Sequence, residues 1–282
     1  MSSRIWSASR NSNLSSRVQD ETAISTLEEP LRQGSIAIIG LRHIPKIELG
    51  DNLARTIIAA ANKQHLNLRS GDVVVVAQKI VSKTEGRVLT LDEVKPSQVA
   101  KDLAKAMGKD PRHVEAILSE TRRVVRRRGA HLIAQTRHGL VCANAGVDKS
   151  NVEGEDVVTL LPKDPDRSAR RIRAQIKEKT GKDVAVIVSD TFGRPWRIGQ
   201  TNVAIGLSGM RPWIDYRGRK DMFGYKLSVT MMAVADELAS AAELVMNKSD
   251  GIPVAIIRGY PYPRTRGSAR QLVRPARQDL FR

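Results

Sequence analysis

Residues Ser189-Asp190-Thr191-Phe192-Gly193-Arg194-Pro195-Trp196-Arg197 set a carboxylate, a hydroxyl, a glycine and two arginines directly behind the apolar run Val184-Ala185-Val186-Ile187-Val188. In open α/β sheets, ligands gather beyond the carboxyl ends of the strands. Asp190 and Thr191 would there offer hard oxygens to Mg²⁺ or Mn²⁺, which take one or two carboxylates and complete their shell with phosphate oxygens. Arg194 and Arg197 suit bidentate clamping of a carboxylate or phosphate. The same letters also fit an aspartate capping the next element with two surface arginines beside it.

Two further stretches carry candidate groups. Cys142-Ala143-Asn144-Ala145-Gly146-Val147-Asp148-Lys149-Ser150-Asn151 combines small residues, which let backbone approach a ligand, with the carboxylate of Asp148 and the amide of Asn151. An Asx-rich turn accounts for the same residues without a ligand. Cys142 reads as a small buried residue and not a nucleophile. In Gln78-Lys79-Ile80-Val81-Ser82-Lys83-Thr84-Glu85-Gly86-Arg87, Lys79 and Lys83 fall one turn apart if the stretch is helical, each able to meet a phosphate as a point charge. Two lysines on a solvated helix fit equally well.

These segments need a frame to position them. Ile36-Ala37-Ile38-Ile39, closed by Gly40, reads as the first strand, and Leu53, Ile57, Ile58 and Ala61 recur at helical spacing behind the capping pair Asp51-Asn52. Val73-Val74-Val75-Val76-Ala77 is a β-branched run suited to a strand buried on both faces. Two helices are expected at Ser97 to Met107 and Pro111 to about Val125, split at Gly108-Lys109-Asp110. Next come a strand pair, His131 to Ala134 and Gly139 to Ala143, and a helix from Asp166 to Lys179 stopped by Gly181. The strand Val184 to Val188 follows, then a strand entering a helix within Leu227 to Met246, and a closing strand from Pro253 to Ile257. The tail from Tyr260, with Pro261, Pro263 and Pro275, is expected to be irregular and docked on the surface. The class is α+β, or mixed α/β.

Exclusions narrow the chemistry. No two glycines stand two apart, so there is no G-x-G-x-x-G, and neither Gly108-Lys109 nor Gly181-Lys182 has the upstream glycine of a P-loop. H-E-x-x-H and G-x-S-x-G are absent. One cysteine excludes a disulfide framework within the chain and any multi-cysteine metal cluster. No run reaches the roughly 18–20 apolar residues that cross a bilayer. Residues 1–34 read as a flexible extension in which Asp20, Glu21, Glu28 and Glu29 argue against a mitochondrial leader. Residues 35–282 read as the folded domain of a cytoplasmic protein.

The 282 residues hold 47 Lys and Arg against 30 Asp and Glu, a formal net charge of +17. Such a balance suits nucleic acid, an anionic surface or multiply charged small molecules. Aromatic residues make up only 4% and do not interleave with basic runs as stacking platforms for single strands would. The charge falls in separate places: Arg122-Arg123 with Arg126-Arg127-Arg128, Arg167 to Arg173, Arg217 to Lys220, and Arg258 to Arg282. Phosphorylated ligands are the preferred functional reading, with nucleic acid behind it.

Taken in order, the phrases GDVVVVAQKIVSKTEGRV, TRHGLVCANAGVDKSNV, LLPKDPDRSARRIR, VIVSDTFGRPWRIGQTNVAIG, RGRKDMFGYKLSVT, AVADELASAAELVM and IPVAIIRG resemble the coenzyme F420-0:L-glutamate ligase family over roughly residues 36–282. The resemblance implies an uncommon two-lobed α+β fold, a homodimer with its site near the subunit contact, and GTP-dependent addition of L-glutamate to the side-chain carboxylate of F420-0. An acyl phosphate would link the two half-reactions. It further implies GTP contacts at Ile44, Pro45, Lys46, Ile47, Gln78, Lys83 and Asn151 and along Leu244, Val245, Met246, Asn247, Lys248, Ser249 and Asp250. Asp148, Asp190 and Thr191 would hold two divalent ions, Mg²⁺ or Mn²⁺, with K⁺ as a further possible requirement. Lys83 and Asp190, with Arg194 and Arg197, would act on the reacting groups. Three positions depart from the family pattern: His43 and Asn247 stand where glycine is usual, and Asn202 where many relatives have aspartate. The alternatives are a related carboxylate–amine ligase with another acid acceptor, or a basic nucleic-acid-binding protein.

Overall fold

The computed structural model describes residues 34–150, 154 and 156–280. The expected extension before Gly34, and Asn151, lie outside the described residues. In chain order the strands are β1 (Ala37–Gly40), β2 (Val73–Ala77), β3 (Val88–Thr90), β4 (Thr121–Arg128), β5 (His131–Thr136), β6 (Val141–Ala143), β7 (Val157–Thr159), β8 (Ala185–Arg194), β9 (Arg197–Ser208), β10 (Ile214–Asp215), β11 (Met231–Met232) and β12 (Val254–Arg258). The helices are α1 (Leu53–Lys63), α2 (Gln78–Thr84), α3 (Gln98–Met107), α4 (Pro111–Glu120), α5 (Pro165–Thr180) and α6 (Val234–Met246). This is a mixed α+β chain.

The central sheet has the order β1-β12-β2-β8-β9, in which β2 and β8 pair parallel and every other neighbour antiparallel. Alternation along β2 divides the apolar core. Val74 and Val76 meet Leu53, Ile57, Ala169, Ile172 and Ile176 of α1 and α5 on one face. Val73 and Val75 meet Ala235, Leu238, Ala239 and Ala242 of α6 on the other. All four valines are fully buried, as a run of β-branched residues with no polar face requires. A separate cluster of Leu91, Met107, Ile117, Leu132, Val147 and Val158 lies beneath α3, α4 and β5.

Helix starts follow the polar residues in front of them. The Asn52 side chain accepts from the Arg55 amide at 3.0 Å, that of Ser97 from Ala100 at 3.2 Å, and that of Asp164 from Arg167 at 3.0 Å. Asp110 accepts from the Arg112 amide at 2.7 Å, with Pro111 at the first helical position. Between α3 and α4, Gly108 adopts a left-handed conformation that closes α3.

Two expectations from the sequence are corrected. The helix expected to run to about Val125 ends at Glu120, and Thr121–Arg128 forms β4 paired antiparallel with β5. Arginine is a good helix former, yet Thr121, Val124 and Val125 are β-branched, and pairing with β5 decides the outcome. The resulting strand is mostly exposed and studded with arginines, a charged edge that resists pairing with other chains. Likewise β8 does not stop at Val188. It continues through Asp190 and Thr191 to Arg194, paired with β9, after an irregularity in register between Val188 and Ser189. Strands β3, β7 and β9 were not anticipated. The tail behaves as expected: it lacks strands and long helices and is docked by Asp166, whose Oδ1 accepts from the Leu207 amide at 2.8 Å and the Ala269 amide at 2.9 Å.

Glycines set two close approaches. A Cβ on Gly206 of β9 would lie 2.4 Å from the Pro165 carbonyl, so α5 can seat on the sheet only over a bare backbone. A Cβ on Gly40 would lie 2.9 Å from the Val245 carbonyl oxygen, which brings the end of β1 against the end of α6.

Candidate active site

Register places the candidate residues at one end of the sheet. Gly40 is opposite Ala255, Val254 opposite Val76, and Ala77 opposite Ser189. The chain leaving β1 (residues 41–47), the start of α2 at Gln78, residues Asp190-Thr191, and the loop entering β12 (247–253) therefore emerge side by side. Parallel strands β2 and β8 present their carboxyl ends there, where open sheets bind ligands.

Along residues 44–47, Ile47 is buried in the core and Ile44 packs against it, while Pro45 and Lys46 face outward. Apolar anchors thus hold an accessible proline and lysine. His43, just before, has φ +64°, the left-handed conformation that glycine adopts freely. Asn247 has φ +47° and ψ 163°, a region essentially reserved for glycine. Both departures keep the glycine backbone and bear its strain.

Helix α2 begins without a break from β2, and its first residue, Gln78, is 2% exposed. The Gln78 Oε1 accepts from Ser82 Oγ at 2.8 Å, whereas its buried Nε2, like the Ser189 hydroxyl, has no hydrogen-bond partner among the described residues. Buried polar atoms are rarely left this way, and an absent ligand is one reason for it. Lys79 and Lys83 do lie one helical turn apart on α2. Lys79 Nζ forms an ion pair with Asp148 at 2.7 Å and also contacts Ser150 Oγ.

Asp148 and Asp190 share one electrostatic environment. Burial pushes the Asp190 carboxyl up to about 6, and the charge of Asp148 pushes the same way, against the Thr191 amide, Lys79 and Lys248. Burial also works on Asp148. There the Lys79 ammonium, the Ser150 amide at 2.8 Å and the Ser150 hydroxyl at 2.9 Å prevail and hold its carboxyl below the usual aspartate value. Cys142, in the strand facing β8, is pushed up to about 12 by burial and by Asp190, so its thiol stays protonated and inert.

Thr191 closes the group. Its hydroxyl donates to Asn202 Oδ1 at 2.6 Å and is itself contacted at Oγ1 by Lys248 Nζ, which lies 3.7 Å from Glu243. Asn202, 3% exposed, passes the link on by donating Nδ2 to Glu243 Oε2 at 2.8 Å. An aspartate at 202 would face Glu243 with a second negative charge and no donor, a physical reason for the amide here. Of the 244–250 stretch, Lys248 thus reaches Thr191, while Asn247, Ser249 and Asp250 bond among themselves, with Asn247 Nδ2 to Asp250 Oδ2 at 2.9 Å and Ser249 Oγ to Asp250 Oδ1 at 3.0 Å. Leu244 is exposed and Met246 buried.

Two carboxylates and a hydroxyl, all hard oxygens, suit Mg²⁺ or Mn²⁺. Among the described residues no group of three or more His, Cys, Asp and Glu side chains could hold a metal. That donor set therefore fits an ion that completes its shell with phosphate or water and not one needing a full protein cage. The ammoniums of Lys79 on Asp148 and Lys248 on Thr191 occupy cation positions at these oxygens.

Arg194 and Arg197 are placed elsewhere. They pair across the exposed tip of the β8–β9 hairpin, where Arg194 donates to the Ile198 carbonyl at 2.9 Å and Trp196 and Ile198 are 85% and 100% exposed. They stand beyond Asp190 along the strand and are not brought to Asp148. The site also contains Glu243, which the spacing did not single out, and contacts it did not foretell: Lys79 with Asp148, and Asn202 between Thr191 and Glu243. No local pattern announces partners this far apart along the chain.

Likeness to known proteins runs through most of the chain. The family described as F420-0:Gamma-glutamyl ligase matches residues 41–259. A coenzyme F420:L-glutamate ligase of Methanothermobacter thermautotrophicus is 47% identical over 250 residues, covering 88% of this chain and 99% of that protein. Proteins of the same name from Methanocaldococcus jannaschii and Methanopyrus kandleri are each 44% identical, covering 88% of this chain and 97% and 100% of theirs. With the family pattern matched over residues 41–259 and likeness running through almost its whole described length, the chain belongs to the F420-0:Gamma-glutamyl ligase family.

Proposed function

We propose that this chain is a ligase that joins L-glutamate to the side-chain carboxylate of coenzyme F420-0, driven by GTP. The reading is carried by Asp148 and Asp190, acidic groups from separate segments that act on each other beside Lys79, Thr191 and Lys248 at the carboxyl end of the sheet. Family membership supplies the acid and the amine.

A carboxylate is a poor acyl donor because its resonance must be broken and its oxygen is a poor leaving group. GTP would remove that obstacle: the acceptor carboxylate oxygen attacks the γ-phosphorus, the bond to the β-phosphate oxygen breaks, and GDP leaves. The glutamate nitrogen then attacks the acyl carbon of the acyl phosphate, forming the amide and releasing phosphate and a proton. Residues 44–47, Gln78 and the 244–250 segment would bind the nucleotide, with the free Nε2 of Gln78 as a donor to it. Lys83 would stabilise the charge of the γ-phosphate. Asp148, Asp190 and Thr191 would hold Mg²⁺ or Mn²⁺, as two ions, which neutralise phosphate charge during transfer. The positive balance of the chain would draw in three anionic substrates.

We also infer a homodimer, since Trp196 and Ile198 at the hairpin tip and Met222, Phe223 and Val229 in the following loop are each more than four-fifths exposed. Apolar surface of this kind is normally covered by a partner. Arg194 and Arg197 would then approach substrate from the tip. No helix among the described residues is long and apolar enough to cross a membrane, and a biosynthetic role fits the cytoplasm.

The test is to incubate purified protein with F420-0, L-glutamate, GTP and Mn²⁺ and weigh the product. One added glutamyl residue with matching GDP is expected. Asp190→Ala is expected to lose the product while remaining folded, and Lys83→Ala to slow it by about 10²-fold or more. Absence of product from the unaltered protein, or full turnover in Asp190→Ala, would overturn the reading.

A further inference from the structure

The junction between α3 and α4 places a second set of polar groups beside Asp148. Lys109 lies between Gly108, which ends α3, and Asp110, which caps α4, and its Nζ donates to Asn144 Oδ1 at 3.2 Å. Asn144 and Ala145 hold left-handed backbone in succession, with φ +51° and +52°, unusual for residues that carry a Cβ. This strain persists in the turn that leads directly to Asp148. The Lys109 ammonium is half-buried, and desolvation lowers its pKa.

His113 lies on the first turn of α4. Burial, then the charges of Lys109 and Lys149, lower its pKa against the weaker pull of Asp110 and Asp148, and its buried Nε2 has no partner among the described residues. The neighbouring acids are committed elsewhere. Asp110 accepts from Arg112 through its amide at 2.7 Å, its Nε at 3.1 Å and its Nη2 at 2.8 Å, while Asp148 is held by Lys79 and Ser150. Among the described residues neither Lys109 nor Lys149 forms an ion pair. Among the described residues the half-buried Lys109 ammonium, the exposed Lys149 ammonium and the buried His113 nitrogen thus act on one another with no carboxylate paired to them. For Lys109, half-buried charge in that state is costly unless an anion completes it.

We propose that Lys109, His113 and Lys149 form a carboxylate-binding subsite that holds the L-glutamate co-substrate beside Asp148. The proposal rests on the ligase reading given above. Glutamate keeps both carboxylates through the reaction, so Lys109, held by Asn144, and the exposed Lys149 can hold it while its nitrogen stays free to attack. Phosphate charge already has Lys79, Lys83 and Lys248 at the sheet end.

Steady-state kinetics test it. Lys109→Met and Lys149→Met are each expected to raise KM for L-glutamate by about 10- to 100-fold, as loss of a charged hydrogen bond does, with kcat within about threefold. KM for F420-0 and for GTP should not move, and Lys109→Arg should recover part of the loss. An unchanged glutamate KM in these folded variants, or a rise confined to F420-0 or GTP, would overturn the subsite. His113→Gln, which keeps a donor, and His113→Ala, which removes it, provide the same contrast should Lys109→Met fail to fold. Calorimetric titration with L-glutamate alone separates the two readings. Ligation by the unaltered protein with no glutamate defect in the variants removes the subsite and leaves the ligase. Glutamate bound through Lys109 without ligation removes the ligase and leaves the subsite.

Discussion

At the end of the central sheet away from the candidate site, Arg258 is 6% exposed and Asp72 1% exposed, and the two are paired through both carboxylate oxygens. The guanidinium donates to both Asp72 oxygens, at 2.9 and 2.8 Å, and to the Asn67 carbonyl at 2.7 Å, while Tyr262 donates to the Asp72 carbonyl at 3.2 Å. At the other end Asp190 is desolvated beside a second carboxylate, and among the described residues the Gln78 Nε2 and the Ser189 hydroxyl have no partner. Buried charge that is fully paired fixes a fold. A desolvated carboxylate beside a second one is instead the signature of a working site. The difference lies in the partners.

The sharpest way to break this contrast is Asp72→Ala. It leaves the Arg258 guanidinium buried alone and should cost about 3–5 kcal/mol by urea denaturation, while ligation per folded molecule stays unchanged. A loss within experimental scatter would show that the paired end is not structural.

Asp190 should behave in the opposite sense. Folded protein holds that proton up to about pH 6, against an ordinary value of 3.8 in the unfolded chain. The folded state therefore binds more protons through that window, and stability should fall as pH rises through it, by up to about 3 kcal/mol. Asp190→Asn should remove this slope and be the more stable protein at pH 7, though inactive. Mn²⁺ should raise the melting temperature of the unaltered protein at pH 7 and leave Asp190→Asn where it was. Identical pH profiles for the two proteins would erase the distinction between the sheet ends.

A smaller effect sharpens the picture at the loops. His43→Gly and Asn247→Gly should each stabilise the protein by about 1 kcal/mol, since the backbone already occupies a region that penalises a Cβ. Chemical denaturation of the single variants measures this, and destabilisation in both would mean that side-chain contacts outweigh the strain.

Much of this was legible before any coordinates. Runs of β-branched residues marked β1, β2, the buried half of β8 and β12, because a strand covered on both faces has no polar side to disguise it. Asn52, Ser97 and Asp110 marked helix starts because their side chains do local work. What was hidden depended on distant partners. The polar first half of β9 is strand because β8 pairs with it, and the arginines of β4 are strand because β5 does. In the site, Asp190-Thr191 and Asp148 stood out as chemistry by residue type and family likeness. That Lys79 would take Asp148, or that Asn202 would connect Thr191 to Glu243, is fixed only when the sheet brings those segments together. The arginines at 194 and 197 show the converse: nearness in sequence to Asp190 became distance once the strand ran on.

The β8–β9 hairpin has a mechanical consequence. Asp190 and Thr191 sit partway along a ribbon whose far tip, Trp196 to Ile198, projects into solvent, and continuous cross-strand bonds from Asp190↔Val203 to Gly193↔Gln200 join the two. Such a ribbon acts as a lever arm: whatever grips the tip also steadies the carboxylate at its root.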